Sequence, residues 1–150
     1  ATLLSMIGLF NIFGTLTSGY LSTKFKKKII LSTIYFARGI VIALFIFLPP
    51  SPTIAVLFGI TFGFLWLATV PPTAGLVGFI FGTKYMGLLY GIVFLSHQVG
   101  SFFGAYLGGV FKEVYGSYDY AWYVSIVLSI FAGLIHLPIN EKQVKRLQTA

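Results

Sequence analysis

Four polar residues stand inside otherwise apolar stretches, and their types limit the chemistry available to the chain. Arg38 lies ten residues into the run 29–48. A guanidinium charge at the centre of a bilayer costs about 2.5–3.5 kcal/mol by insertion scales, so it has to face protein or a watery cavity. Such a group either attracts an anionic solute or donates to the backbone carbonyls of a neighbouring helix. His97 and Gln98 are adjacent in the run 86–110. Histidine changes charge near neutral pH, which suits proton coupling or solute binding as well as a hydrogen bond across a helix seam. Gln98 has an amide that would bond a solute or a neighbouring helix. Asn11 shares a helical stripe with Thr15 and Ser18. Hydroxyls are readily satisfied by their own helix, so Asn11 is the member of that stripe with a side chain free to reach elsewhere.

These residues do not add up to a reaction centre. Asp and Glu total three, and Glu113, Asp119 and Glu141 all fall outside the apolar runs. No carboxylate pair or carboxylate–metal site is available at membrane depth. His97 and His136 sit on different runs and are too few to hold zinc. The absence of cysteine excludes disulfides and thiolate metal sites. No glycine-rich loop ends in Lys-Ser or Lys-Thr, which argues against direct use of ATP. The expectation is a non-enzyme with no metal and no cofactor.

The elements that would position these groups follow from composition. Apolar residues make up 57% of the 150 and charged ones only 9%, where a soluble domain carries about a quarter charged. A surface with so few charges suits lipid. Stretches of about 20 apolar residues match a hydrocarbon core of about 30 Å, and about five occur, at 2–21, 29–48, 54–73, 86–110 and 120–138. A β-barrel would alternate polar and apolar residues, whereas these runs are apolar on every face. The expected fold is therefore an all-α integral membrane bundle. Pro71 and Pro72 at the far end of the third run should kink or stop its helix, because they lack N–H donors and clash with the preceding turn. The glycine-rich segment 75–85 reads as a short connection near the membrane surface. On the fourth run Gly100, Ser101, Gly104 and Gly108 share the face of His97, and small residues at that spacing let helices approach closely.

Basic residues distinguish the two ends. Lys24, Lys26, Lys27 and Lys28, then Lys84, then Lys142, Lys145 and Arg146 of the tail 139–150 gather on one side, against Lys112 on the other. The basic side should face the cytoplasm, placing residue 1 outside and the C-terminal tail inside. Clustering beside apolar runs, with no soluble domain to carry a basic face, excludes nucleic acid as a partner. Tyr118, Tyr120, Trp122 and Tyr123 at the start of the last run read as interfacial aromatics.

The segment Gly19-Tyr20-Leu21-Ser22-Thr23-Lys24-Phe25-Lys26-Lys27-Lys28 resembles the loop motif of the major facilitator superfamily, with Thr23 where aspartate is frequent and Lys26 where glycine is common. The later order agrees. Trp66 to Thr73 resembles part of the tenth helix of that family. Phe94 to Gly100 with Gly104, Gly108 and Gly109 resembles the eleventh, and Gly116-Ser117-Tyr118 the outer loop before the twelfth. The resemblance implies helices eight to twelve of a secondary transporter, a C-terminal fragment whose N-terminal half is missing. Its closest likeness within the family is to bacterial relatives of monocarboxylate and oxalate–formate carriers. It implies alternating access at a midplane site, a small-molecule substrate such as an organic anion, and a bacterial inner membrane. Pro71, Pro72, Gly100, Gly104 and Gly108 would then serve helix packing or gating. The rival reading is a small oligomeric membrane scaffold or channel subunit, complete at five helices.

Overall fold

A computed structural model describes residues 2–144; Ala1 and the tail residues from Lys145 and Arg146 onward lie outside the described residues. Six helices follow one another: α1 (Thr2–Lys24), α2 (Lys27–Phe47), α3 (Pro52–Trp66), α4 (Val70–Phe81), α5 (Met86–Tyr115) and α6 (Asp119–His136). There is no strand among the described residues. By length and hydropathy they form five segments able to cross a membrane, with α3 and α4 together making one 30-residue span, Pro52–Phe81. The protein is an all-α integral membrane bundle.

Local chemistry sets the helix ends. Leu48 is extended at the end of α2, as the residue before Pro49 must be. Ser51 opens α3 by accepting from the amide of Ile54 at 3.2 Å, with Pro52 in the first turn, where a missing N–H costs nothing. Gly116 closes α5 in the left-handed region at φ 70°, a conformation that a Cβ would strain.

Two seams hold the bundle. The first joins α1 to α3 at backbone distance. A Cβ on Gly14 would run into the Phe64 carbonyl, and one on Gly63 into the backbone of Ile7. Gly59 and Gly63, four residues apart, present one small face of α3 to α1. The second seam joins α2 to α6, where Ser32 donates to the Gly133 carbonyl at 2.8 Å and Gly39 lies against Ser129. Between the seams, Ile42, Phe58 and Phe62 are buried together with Phe45 and Trp122 around them. Phe45 stacks on Phe58 at 4.1 Å, and Trp122 meets both edge-on. Trp122 is half-buried in this cluster, while Tyr118, Tyr120 and Tyr123 stay exposed.

Two sequence expectations change. The third span does not stop near Thr73, and of the expected connection 75–85 only 82–85 is one: α4 carries the helix from Val70 to Phe81, with both prolines in its first turn. The basic segment is not a loop from 22 to 28. Lys24 ends α1, Lys27 and Lys28 begin α2, and only Phe25 and Lys26 connect them. Gly19 is inside α1, against Pro71. Gly100, Gly104 and Gly108 meet no neighbouring helix among the described residues.

Replacing Gly63 by leucine should lower stability by roughly 1–3 kcal/mol through overpacking of the α1–α3 seam. Gly8→Leu, where nothing lies within 4 Å, should change it by less than about 0.5 kcal/mol. Thermal unfolding in detergent distinguishes the two.

Candidate functional site

The third span is interrupted near its centre. After α3 ends at Trp66, residues 67–69 turn before α4 begins at Val70. Pro71 and Pro72 sit in the first turn of α4, where their missing amides leave the Leu67 and Ala68 carbonyls without their usual helical donors and their rings crowd the preceding turn, which breaks the helix just before them. The Val70 amide bonds the Leu67 carbonyl three residues back at 3.0 Å, instead of the Trp66 carbonyl that an unbroken helix would supply. Thr73 restores the normal spacing by donating to Thr69 at 3.1 Å. The last carbonyls of α3 are thereby left without helical partners at a depth where water is scarce. Each such group costs several kcal/mol if left unpaired in hydrocarbon.

Side chains from two other helices supply what the break lacks. Arg38, midway along α2, donates from Nη2 to the Leu65 carbonyl at 2.6 Å and to the Trp66 carbonyl at 3.0 Å. Asn11 of α1 accepts the Leu67 amide on Oδ1 at 3.1 Å. Tyr35, one turn before Arg38, places its ring 5.3 Å beneath the guanidinium. Arg38 Nε is buried and has no hydrogen-bond partner. Hydroxyls of the Asn11 stripe are used locally, Thr15 donating to the Asn11 carbonyl at 2.8 Å and Ser18 to that of Thr15 at 3.1 Å. Arg38 and Asn11 therefore meet at one place, the α3–α4 break. Ala68 within the turn and Pro72 just after it are buried.

His97 and Gln98 are elsewhere. Both are exposed on α5, which packs on α4 and α6 and has no buried residue. The His97 ring faces Phe94 of the same helix at 6.2 Å, and its carbonyl accepts from Ser101 at 3.0 Å. Their face of α5, including Gly100, Gly104 and Gly108, is open among the described residues.

At the basic end a different group emerges. Glu141 accepts from the amides of Lys27 and Lys28 at 3.1 and 3.4 Å, and pairs with Lys27 Nζ at 3.7 Å. The first residues of α2 have no side-chain cap of their own, so the tail provides one, with a carboxylate at the positive end of the helix. Lys28 Nζ donates to the Leu137 carbonyl at 2.9 Å, and Val144 donates to the Ile80 carbonyl at 2.8 Å. These bonds bring the α1–α2 turn, the end of α4 and the tail to one side. Sequence reasoning missed Glu141. The available signal was a single carboxylate just beyond the last apolar run on the lysine side. It also missed Gly59 and Gly63, although their four-residue spacing is visible in the sequence.

Apolar helices in five spans, one of them broken at mid-depth and braced by polar side chains, define a helical membrane bundle of the kind that transporters use. The family description of the Major Facilitator Superfamily matches residues 1–149, and the chain belongs to that family. It is a family of transporters and not of enzymes. The chain is similar to the uncharacterized MFS-type transporter YcxA of Bacillus subtilis (strain 168), at 29% identity over 147 residues that take in 94% of this chain and 36% of that protein. It thus spans about a third of the length of the curated relative it matches. No solved structure matches it.

Removing the guanidinium by Arg38→Ala should destabilise the bundle by about 2 kcal/mol or more, since two carbonyls lose a charged donor. Arg38→Lys should recover only part of this, because an ammonium lacks the planar fork. Denaturation of detergent-solubilised variants checks both, and an alanine variant as stable as the parent contradicts the bracing role.

Proposed function

We propose that this chain is the C-terminal part of a secondary transporter that carries a small organic anion, such as a monocarboxylate, by alternating access. The observation that carries the reading is Arg38. It holds a positive charge at mid-depth, paired with no carboxylate among the described residues, and one of its buried N–H groups is unbonded. Glu113 and Asp119 stand at the ends of their spans and Glu141 lies beyond the last one, so a negative charge at mid-depth has to come from elsewhere. The broken α3–α4 span lends itself to motion, because a helix already interrupted bends there without losing further ladder bonds.

In this reading Arg38 sets the electrostatic preference for an anion, and Asn11 holds the break. His97 and Gln98 on α5 contribute solute or coupling contacts from the open face of that helix. A preceding part of the same protein supplies the remaining helices around the solute. The membrane is the bacterial inner membrane, with residue 1 outside and the basic end and C-terminal tail in the cytoplasm. Family membership favours this over an oligomeric scaffold or channel subunit complete at five helices.

Uptake of labelled short-chain monocarboxylates, by cells producing the full-length protein, tests the proposal. Uptake should be inhibited by other organic anions and not by neutral sugars. Arg38→Lys should lower kcat/KM about tenfold or more, equivalent to about 1.4 kcal/mol. His97→Ala should flatten the pH profile. Unaltered affinity and pH dependence in both variants, or inhibition by neutral solutes alone, would contradict it.

A further inference from the structure

A second site lies at the lysine end of the described bundle, where α1 and α2 diverge from their tight turn. Between them runs a groove of about 630 Å³. Its walls are Thr17 and Leu21 on α1 and Ile29 and Thr33 on α2, and its floor includes Ile34 and Ala68. The Thr17 hydroxyl donates to the Phe13 carbonyl at 2.7 Å, and that of Ser18 to the Thr15 carbonyl at 3.1 Å. With those hydroxyls occupied by their own helix, the groove presents a largely apolar lining, to which Thr33 adds one further hydroxyl. It runs along α1 from Lys24 to Gly14, about 15 Å at the helical rise of 1.5 Å per residue. That distance is half of a hydrocarbon core of about 30 Å, the depth of a single leaflet.

Charge singles out the mouth of the groove. Of the four clustered lysines, Lys27 is paired with Glu141 and Lys28 is bonded to the Leu137 carbonyl. The other two, Lys24 and Lys26, line the groove and are exposed. Lys24 lies 4.5 Å from the Tyr20 ring centroid, and neither lysine has a carboxylate partner among the described residues. Exposed Phe25 and Ile29 flank them, giving the lip an apolar and a cationic component side by side. An apolar channel one leaflet deep, ending at two uncompensated ammonium groups, is complementary to a lipid with an anionic headgroup.

We propose that this groove binds one anionic phospholipid from the leaflet on the lysine side, with an acyl chain between α1 and α2 and the headgroup phosphate on Lys24 and Lys26. Occupancy would fill the gap between two helices that touch little beyond their turn, and so would fix their separation. The floor of the groove, at Leu65 and Ala68, adjoins the α3–α4 break.

The test is native mass spectrometry of the delipidated full-length protein, titrated with palmitoyl-oleoyl phosphatidylglycerol or the matching phosphatidylcholine. The parent should take up one phosphatidylglycerol at a concentration at least tenfold below that needed for phosphatidylcholine. Lys24→Gln with Lys26→Gln should abolish the preference. Thr33→Trp, which fills the groove and leaves the lysines, should abolish the bound lipid, and the exposed lysine pair carries the test if that variant does not fold. Glycerol 3-phosphate should not compete, since it has no chain to occupy the groove. Equal binding of the two lipids, a preference that survives the lysine changes, or displacement by glycerol 3-phosphate would overturn the proposal.

Discussion

Backbone groups at the centre of a bilayer have no water to bond, so a spanning helix that stops there must find donors and acceptors on other parts of the protein. Pro71 and Pro72 impose such a stop on the span Pro52–Phe81. The carbonyls of Leu65 and Trp66 and the amide of Leu67 are the groups released, and Arg38 and Asn11 are the groups that answer them. The guanidinium and the carbonyls offset each other's cost, since a charge at this depth is as unfavourable alone as an unpaired carbonyl is. The α1–α3 seam belongs to the same arrangement. Asn11 reaches the break because glycines at 14, 59 and 63 let the two backbones close on one another.

The membrane fold and the depth of Arg38 were legible in the sequence, because hydropathy and length decide where a helix crosses and a lone charge stands out within it. The break was only half legible. The proline pair marked an interruption, but thirty nearly continuous apolar residues are compatible with a span ending at the prolines or a span resuming after them. Tertiary support decides between these, and the residues that give it are 56 and 27 or more positions away along the chain. Which glycine face is used among the described residues was likewise not legible. The glycines of α5 show the most obvious small-residue face, yet the helices that meet at backbone distance among the described residues are α1 and α3. Of two candidate faces, the one used depends on which helices are neighbours, and periodicity carries no such information.

The basic segment shows how one run of like residues divides into different tasks. Lys27 and Lys28 join the tail and α6 to the start of α2, while Lys24 and Lys26 face the α1–α2 groove. A sequence motif treats them as one cluster. The carboxylate of Glu141 separates them, by capping α2 from the far end of the chain. The break and this basic end are joined by α4, whose first turn carries the prolines and whose Ile80 carbonyl bonds the tail. Movement at the break would therefore be felt at the basic end.

The central claim is that Arg38 is required because the prolines break the helix. It is tested by measuring the stability lost on Arg38→Met in two backgrounds, the parent and a Pro71→Ala, Pro72→Ala variant in which the helix is free to run on. Coupling predicts a large loss in the parent and little or none in the double-alanine background, where removal of the proline rings lets the helix run on and the Thr69 and Val70 amides reach the Leu65 and Trp66 carbonyls. An equal loss in both backgrounds would contradict the account, and would mean that Arg38 serves something other than the break.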